Sequence, residues 1–310
     1  MLRDLLTPKP FRGDVVAAGV VVLLLAAGLF ELRAAGDVEP AIRALVLGLL
    51  WAFVVTLAWR SPVEGDEPRP YQSVLWIAAL LIAALALAVL AEAFGADPLL
   101  AGDGSRIWVL ALLTAHAMLF SRARGSGVGT LLAAAGTAAV VAALYDAVLF
   151  HAGDDPRGLR WLLLAIAVLY ALNAVRLRDR HRRHAVAFAE AAGLVLVGLA
   201  FTWTEVLFPF FQPVPDVTAG AGWTFVLLAG GLGLVGYGGV DRERGPIWIG
   251  ALVLLHFCAL ESDGGVLWWP LLLLVAATPL LLAGLRPSTP APPSPDEDRP
   301  VAEPLRIRRP

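Results

Sequence analysis

The sequence predicts an all-α bundle of membrane-spanning helices, and three observations support that prediction. The 310-residue chain is 58% hydrophobic and 16% charged, with a mean hydropathy of +0.74, whereas soluble domains are about 45–50% apolar and about 25% charged. Its apolar residues are gathered into runs long enough to cross a bilayer, and its basic residues alternate between the segments that join them. A polytopic membrane protein is therefore expected.

Ten apolar runs qualify as membrane spans, because a hydrocarbon core of about 30 Å needs about 17–25 helical residues. Charged residues, prolines or glycines bound each run. The fourth and ninth runs are short, with about 14–15 residues each, so either one is a thin, buried or re-entrant segment. The predicted spans are Val15–Leu32, Ala41–Trp59, Val74–Ala93, Ile107–Phe120, Val128–Phe150, Leu159–Val175, Ala185–Leu207, Trp223–Val240, Pro246–Leu260 and Val266–Leu285.

The basic residues indicate the direction of the spans, since cytoplasmic loops carry an excess of Lys and Arg. With ten spans and both termini inside, 19 of the 24 basic residues fall in inner segments and 5 in outer ones. The domain organisation that follows is a cytoplasmic N-terminus (1–14), a helix bundle (15–285) and a cytoplasmic tail (286–310). The five outer basic residues are Arg33, Arg43, Arg106, Arg157 and Arg160.

The two ends of the chain raise separate questions. The first span has a basic start and precedes Ala34-Ala35-Gly36, which would suit signal-peptide cleavage, but its 18 apolar residues favour a retained helix. The last 25 residues contain eight prolines and few apolar groups, so a disordered tail is predicted. Prolines such as Pro290 and Pro293 would also fit a polyproline-binding partner.

Several function classes are excluded by composition and by motif searches. A net charge of −2 gives no footprint for nucleic acid, and the single cysteine, Cys258, precludes an internal disulfide or a cysteine-based metal cluster. The chain contains no GxxxxGK[ST], HExxH or GxSxG motif, and no cofactor is expected. Arginine supplies 23 of the 24 basic residues, which is typical of a GC-rich bacterial genome and predicts a bacterial cytoplasmic membrane protein.

The eighth span contains a match to the dinucleotide fingerprint GxGxxG, at Gly231, Gly233 and Gly236. That fingerprint requires a preceding strand and a helix that begins at the glycines, whereas these glycines lie inside a membrane helix. Close helix packing explains them better. Ala229, Gly233 and Gly236 are predicted to form a small-residue face that another helix backbone can approach.

His181 and His184 have the spacing of two metal ligands on one helical turn. They lie within a run of arginines whose positive charge opposes a cation, and no third ligand is evident, so no metal site is predicted. The arginines are expected to fix the topology and to contact anionic lipid headgroups at the inner leaflet. The predicted headgroup contacts are Arg178, Arg180, Arg182 and Arg183.

The ionisable residues inside the spans are the strongest site candidates, because charge in a bilayer core is costly and often functional. Asp146, Glu205 and His256 lie in the outer thirds of the fifth, seventh and ninth spans, which run in the same direction and place them at one depth. With Thr202 and Tyr145 nearby, they would form an outward-facing pocket able to exchange protons. The alternative is that buried polar pairs simply join helices.

Two further polar residues favour structural interpretations. Glu190, toward the inner side of the seventh span, is expected to pair with the arginines just before it. His116 in the fourth span is expected to be a structural hydrogen-bond partner.

The eighth span, the following Asp241–Pro246 segment and Gly250 resemble a pattern in uncharacterised multi-pass membrane proteins of actinobacteria. That resemblance covers the last third of the chain and implies no activity. The first hundred residues resemble the membrane-sensing module of actinobacterial sensor kinases, which continue into a kinase that is not found here. The ten-span architecture is similar to the drug/metabolite transporter superfamily, whose five-plus-five inverted repeat would pair the short fourth and ninth spans.

Three functions remain open on this evidence. The sharpest hypothesis is a small-molecule permease that uses the outer pocket. The alternative is a non-catalytic scaffold, sensor or complex subunit that packs against a membrane protein partner. A lipid-modifying intramembrane enzyme is a third reading, although no motif supports one and no enzyme class is assigned.

Overall fold

The computed structural model describes residues 12–62, 69–96, 103–149, 157–203 and 219–261, together with Val275 and Thr278. Within these residues the chain forms nine α-helices and no β-strand. The chain divides into two units, Met1–Gly265 and Val266–Pro310. All nine helices belong to the first unit, and the two described residues of the second are helical.

Most of the helices are joined by connections of fewer than ten residues, whereas 19 residues separate the seventh helix from the eighth. Eight of the nine are long and apolar enough to cross a membrane, and α9 contains a shorter apolar stretch. The predicted all-α membrane bundle is therefore confirmed. The helices are α1 (Gly13–Ala34), α2 (Pro40–Arg60), α3 (Pro70–Ala93), α4 (Asp103–Arg124), α5 (Gly127–Leu149), α6 (Arg157–Leu177), α7 (Arg182–Phe201), α8 (Ala221–Asp241) and α9 (Arg244–Glu261).

Each of the first nine predicted spans coincides with a helix, whereas the tenth, Val266–Leu285, falls outside the described residues except at Val275 and Thr278. The prediction of a short fourth span was wrong, because α4 contains 22 residues. Hydropathy detected only its apolar centre, and the helix continues into polar turns at both ends. The argument for a five-plus-five repeat loses that support, and the repeat stays a prediction.

Local sequence signals explain where several helices begin and end. Pro40 and Pro70 occupy the first positions of α2 and α3, where a missing backbone N–H costs nothing. Gly125 between α4 and α5 has a φ of 59°, a left-handed conformation that glycine adopts readily. Arg242 closes α8 with a φ of 57°, which permits the tight turn into α9.

Neighbouring helices pack as a series of antiparallel hairpins: α2 with α3, α4 with α5, α6 with α7, and α8 with α9. Helix α7 also packs against α5 and α9, and α3 also packs against α1 and α4. Accordingly, 50% of the α3 span and 61% of the α7 span is buried, against 17% for α1. Helices α3 and α7 therefore form the centre of the described bundle, and α1 lies at its edge.

Glycines bring α8 close to its neighbours, but not on the predicted face. A Cβ atom at Gly231 would lie 2.7 Å from Leu254 of α9, and one at Gly238 would lie 2.6 Å from Ile247. At Gly233 and Gly236 a Cβ atom would meet no described atom within 4 Å, and Ala229 is exposed. No described helix packs on the predicted face, so that packing face stays a prediction. Glycines occur around the whole circumference of α8, so the pattern alone could not indicate which side packs.

Candidate functional site

The described pocket residues lie at the helix ends that the charge pattern assigns to the outer side. Asp146, in the last turn of α5, forms an ion pair with Arg106 of α4, with 3.1 Å between Oδ2 and Nη2. The two side chains are 23% and 16% exposed, so the pair is largely withdrawn from solvent. Its partner on the adjacent helix makes Asp146 a link between α4 and α5.

Tyr145 precedes Asp146 and packs on the start of α6. A Cβ atom at Gly158 would collide with the Tyr145 hydroxyl, so a larger residue at 158 would require the ring to shift. The side chain therefore occupies the contact between α5 and α6.

Thr202, the C-terminal cap of α7, is held by Arg160 of α6. Arg160 Nε donates to Thr202 Oγ1 at 3.0 Å, and Arg160 Nη2 donates to the Thr202 carbonyl at 3.1 Å. The guanidinium also lies 4.1 Å from the ring centroid of Trp203, in cation–π geometry. Arg160 is only 3% exposed, and these contacts satisfy much of its buried charge.

His256 of α9 lies 2.8 Å, through Nδ1, from the carbonyl oxygen of Leu252 one turn earlier. A nitrogen that faces a carbonyl must donate, so in the neutral ring the proton is on Nδ1 and Nε2 is an acceptor. The imidazole also meets Phe201 of α7 edge-on, with centroids 4.7 Å apart. Its described contacts are thus with its own helix and with α7.

Glu205 lies outside the described residues, so the outer pocket as a whole stays a prediction. Asp146, Thr202 and His256 lie on α5, α7 and α9, and α7 packs against the other two helices. Asp146 is paired with Arg106 of α4, Thr202 with Arg160 of α6, and His256 with the Leu252 carbonyl of α9. These three side chains and Tyr145 line neither the polar cavity at the inner helix ends nor the apolar cavity between α2, α3 and α4.

A second buried arginine joins α1, α2 and α3. Arg43 is 1% exposed, and its Nη2 lies 2.7 Å from Glu92 Oε1. Its Nη1 bonds Glu31, and its Nε donates to the Val38 carbonyl at 3.1 Å. A guanidinium buried this deeply requires paired acceptors, and here two carboxylates and a carbonyl supply them.

Arg43, Arg106 and Arg160 occupy equivalent places in three successive hairpins, and we name them the outer arginine clamps. Each is the fourth residue of its helix and contacts the end of the helix that follows in the chain. The C-terminal end of a helix carries partial negative charge, which favours a cation there. The clamps therefore fix the outer ends of α2–α3, α4–α5 and α6–α7.

The sequence interpretation missed these clamps because it counted the three arginines as outer-loop charges. A signal was available for two of them. Arg43 and Arg106 lie one turn inside a helix, and each is followed by an acid, Glu92 or Asp146, near the end of the next span. For Arg160 the partner is a threonine and a carbonyl, which no charge pattern reveals.

At the opposite end of the bundle, two of the predicted headgroup arginines bind the chain itself. Arg178 Nε lies 3.0 Å and 3.1 Å from the carboxylate oxygens of Asp241, and these bonds raise the pKa of Arg178 above its usual range. Arg182 contacts the Asp241 carbonyl and pairs with Glu243 at 2.9 Å. Arg180 and Arg183 are exposed, and lipid contact by this group stays a prediction.

A polar cavity of about 710 Å³ lies beside these arginines at the inner helix ends. Glu190 lines the cavity together with Arg182, Arg183 and Glu243. A Cβ atom at Gly245 would collide with the Glu190 carboxylate, so glycine there provides space for it. Close by, His184 Nδ1 lies 2.6 Å from Thr130 Oγ1. Among the described residues no group of three His, Cys, Asp or Glu side chains is arranged to hold a metal ion.

Comparison with known proteins shows a shared fold and no shared family. No protein-family model matches the chain, and no curated protein matches it. A solved structure titled "MycP5-free ESX-5 inner membrane complex, State II" contains a chain with a TM-score of 0.54 and 16% identity. The match covers 89% of this chain and 70% of that chain. At this identity the likeness shows the fold alone, and the chain is a multi-pass integral membrane protein.

Proposed function

We propose that this protein is a non-catalytic subunit of a multi-protein complex in the bacterial cytoplasmic membrane. The observation that carries the proposal is the small-residue face of α8, formed by Ala229, Gly233 and Gly236, which no described helix covers. Glycine lowers helix stability by about 0.5–1 kcal/mol relative to alanine, and lipid gains nothing from a flat helix surface. A partner helix does gain from it, because its backbone approaches closely.

Two further observations support this assignment. At the outer end, Glu31, Glu92 and Asp146 are paired with the outer arginine clamps and His256 with a backbone carbonyl, as expected of a bundle stabilised for assembly. The structurally similar chain belongs to an inner membrane complex by its title. We also propose that the chain is related to the uncharacterised actinobacterial membrane proteins that its last third, which includes α8, resembles.

The test compares two glycines that have open space around them. The tagged full chain is expressed in its native host, extracted into nanodiscs and sized by native electrophoresis and mass photometry. We expect an assembly larger than the 32.8 kDa monomer. Gly233→Leu should weaken assembly about tenfold or more, because leucine holds the partner backbone away. Gly19→Leu on α1, where a Cβ also meets nothing, should leave assembly intact.

A folding control uses the opposite face of α8. Gly231→Leu should destabilise the monomer, because its Cβ would lie 3.2 Å from the Gly250 carbonyl and closer still to Leu254. Gly233→Leu should leave thermal stability unchanged or slightly raised. A wild-type chain that is monomeric in native membranes, or a Gly233→Leu variant that assembles normally, would contradict the proposal.

A permease is the second candidate, and the polar inner cavity is the observation in its favour. Glu190 is half-buried there beside Arg182 and Arg183, as an ion or anion site requires. Transport by the purified monomer in proteoliposomes, lost in Glu190→Gln and in Asp146→Asn, would favour this function over the scaffold. An inactive monomer together with a stable native assembly would exclude it.

A further inference from the structure

A second cavity, distinct from the α8 face, lies between α2, α3 and α4. Its volume is about 960 Å³ and its lining is almost wholly apolar. Helix α3 packs against both α2 and α4, so it forms the floor and they form the walls. Leu45, Leu49, Leu112 and Leu119 line the cavity and are exposed, so it opens toward the lipid. We name it the aromatic cleft, after the residues in its inner half.

Small residues keep the cleft open along most of its length. Ala44 and Gly48 of α2 face it, as do Ala83 and Ala86 of α3. A Cβ atom at Gly48 would meet no described atom within 4 Å. The lining extends from Trp59 near the inner end of α2 to Ala41 at its outer end. The space therefore suits a long, narrow apolar chain that runs across the membrane.

Aromatic rings line the inner half of the cleft, and Arg124 lies below them. Trp51 and Trp76 each meet His116 edge-on, with centroids 6.0 Å and 5.9 Å apart. Trp76 also stacks on Phe120 at 4.9 Å. Arg124 of α4 donates to the last carbonyls of α2 at 2.7–3.1 Å, which draws these two helices together below the rings.

Three nitrogen atoms in this ring cluster have no hydrogen-bond partner among the described residues. They are Nε1 of Trp51, Nε1 of Trp76 and Nε2 of His116. Trp76 is only 3% exposed, so water does not solvate it from outside. The prediction that His116 is a structural hydrogen-bond partner was wrong for Nε2. An unpaired polar group in hydrocarbon is costly, and three of them in one half of one cavity point to a ligand.

The depth of these nitrogens selects among lipids. At 1.5 Å per residue, Trp51, Trp76 and His116 lie roughly 9 to 14 Å from the inner ends of their helices. Phospholipid headgroups and esters stay near the interface, so an acyl chain in the cleft would leave the nitrogens unpaired. The required occupant has a flat ring with carbonyl acceptors that enters hydrocarbon, and a long apolar tail.

We propose that the aromatic cleft binds an isoprenoid quinone, with its ring at Trp51, Trp76 and His116 and its tail along Gly48 and Ala86 toward the outer side. The indole N–H groups would donate to quinone carbonyls, and the rings would stack on the quinone plane. The proposal concerns binding and does not depend on the complex-subunit assignment.

The experiment titrates the full chain, in nanodiscs of phosphatidylglycerol and phosphatidylethanolamine, with a short-tailed menaquinone, and follows quenching of tryptophan fluorescence. Wild-type protein should show saturable quenching above the linear quenching caused by quinone dissolved in the bilayer. Gly48→Leu fills the cleft and should weaken binding about tenfold or more. Trp51→Phe keeps a ring but removes one donor, and should weaken binding about fivefold.

Matched controls separate binding from folding and from partition. Trp161→Phe removes an exposed indole on α6, and Gly19→Leu adds a leucine in open space on α1; both should bind as wild type does. Thermal unfolding of Gly48→Leu should match wild type. Equal affinity in wild type and Gly48→Leu would overturn the proposal. So would a phospholipid that co-purifies with wild type, is lost in Gly48→Leu and is not displaced by quinone.

Discussion

The outer arginine clamps and the aromatic cleft differ in whether their buried polar groups are hydrogen-bonded. In the clamps, Arg43 and Arg160 are buried and Arg106 is half-buried, and each is bonded to acids, hydroxyls or carbonyls at the ends of neighbouring helices, although Glu31 Oε2 has no described partner. In the cleft, Trp51, Trp76 and His116 hold nitrogens that are buried and unbonded. Both regions lie in the same bundle, and α2, α3 and α4 contribute to each.

The difference separates structural polar groups from functional candidates. Removing one partner of a buried, satisfied pair leaves an uncompensated charge, so the clamps should govern stability. A substitution that removes a nitrogen without a hydrogen-bond partner leaves no other group unpaired. Substitutions in the cleft should therefore change ligand affinity with little effect on stability. Substitutions in the two regions should therefore differ most in thermal unfolding.

The largest effect is expected at Arg43. Arg43→Met leaves Glu31 and Glu92 facing each other without their cation, and should cost about 3–5 kcal/mol of stability. A thermal-shift assay in detergent should show a large drop in the midpoint, whereas Arg180→Met, at an exposed position, should change it little. Equal midpoints for the two variants would remove the distinction drawn here.

A smaller effect is expected at the Arg106–Asp146 clamp, and it also bears on transport. Asp146→Leu leaves Arg106 without this carboxylate and should cost about 1–3 kcal/mol. The double variant Arg106→Met/Asp146→Leu should regain most of that loss, because no lone charge remains. Native assembly of the double variant should be normal. A double variant that is stable but has lost a measurable transport activity would show that Asp146 serves the permease hypothesis instead.

The inner arginines should contribute less than the clamps do. Arg178 is 43% exposed, so its bond to Asp241 is screened by water and salt. Arg178→Ala should therefore lower the unfolding midpoint much less than Arg43→Met does, and the loss should shrink as salt is raised. Measuring the unfolding midpoint at low and high ionic strength checks both statements; a salt-independent loss as large as that of Arg43→Met would contradict them.

The smallest change in stability is expected in the cleft. Trp51→Phe removes an indole nitrogen that has no described partner, and the ring borders an open cavity. Its free energy of unfolding should stay within about 1 kcal/mol of the wild-type value while its quinone affinity falls. A large loss of stability would show that the Trp51 indole acts as a structural group.

The sequence was sufficient for the helices and insufficient for their contacts. Hydropathy is local, so it located nine of nine described helices, and it shortened α4 only because its end turns are polar. Clamp partners such as Arg43 and Glu92 lie 49 residues apart, and pairing them requires knowing which helices pack together. On α8, glycine occurs on every side, so only the positions of α7 and α9 show that Gly231 packs and Gly233 does not.

The cleft illustrates a different limit of sequence reasoning. Tryptophan and histidine inside a span are ordinary residues for structural hydrogen bonds, which is why His116 was interpreted in that way. That Nε2 is unbonded, and that Trp51 and Trp76 share its situation, depends on three helices meeting around one cavity. Neither composition nor spacing can indicate that a side-chain nitrogen lacks a hydrogen-bond partner.

The most direct test of the central claim, that α8 binds a partner helix, is photo-crosslinking in native membranes. Benzoylphenylalanine at Ala229, on the face of α8 that no described helix covers, should give a discrete adduct larger than the 32.8 kDa chain. The same probe at Leu255, which is also exposed and lies on α9, should give none. The Ala229 adduct should disappear when Gly233→Leu is added. Absence of an adduct at Ala229, or equal adducts at both positions, would contradict the proposed function.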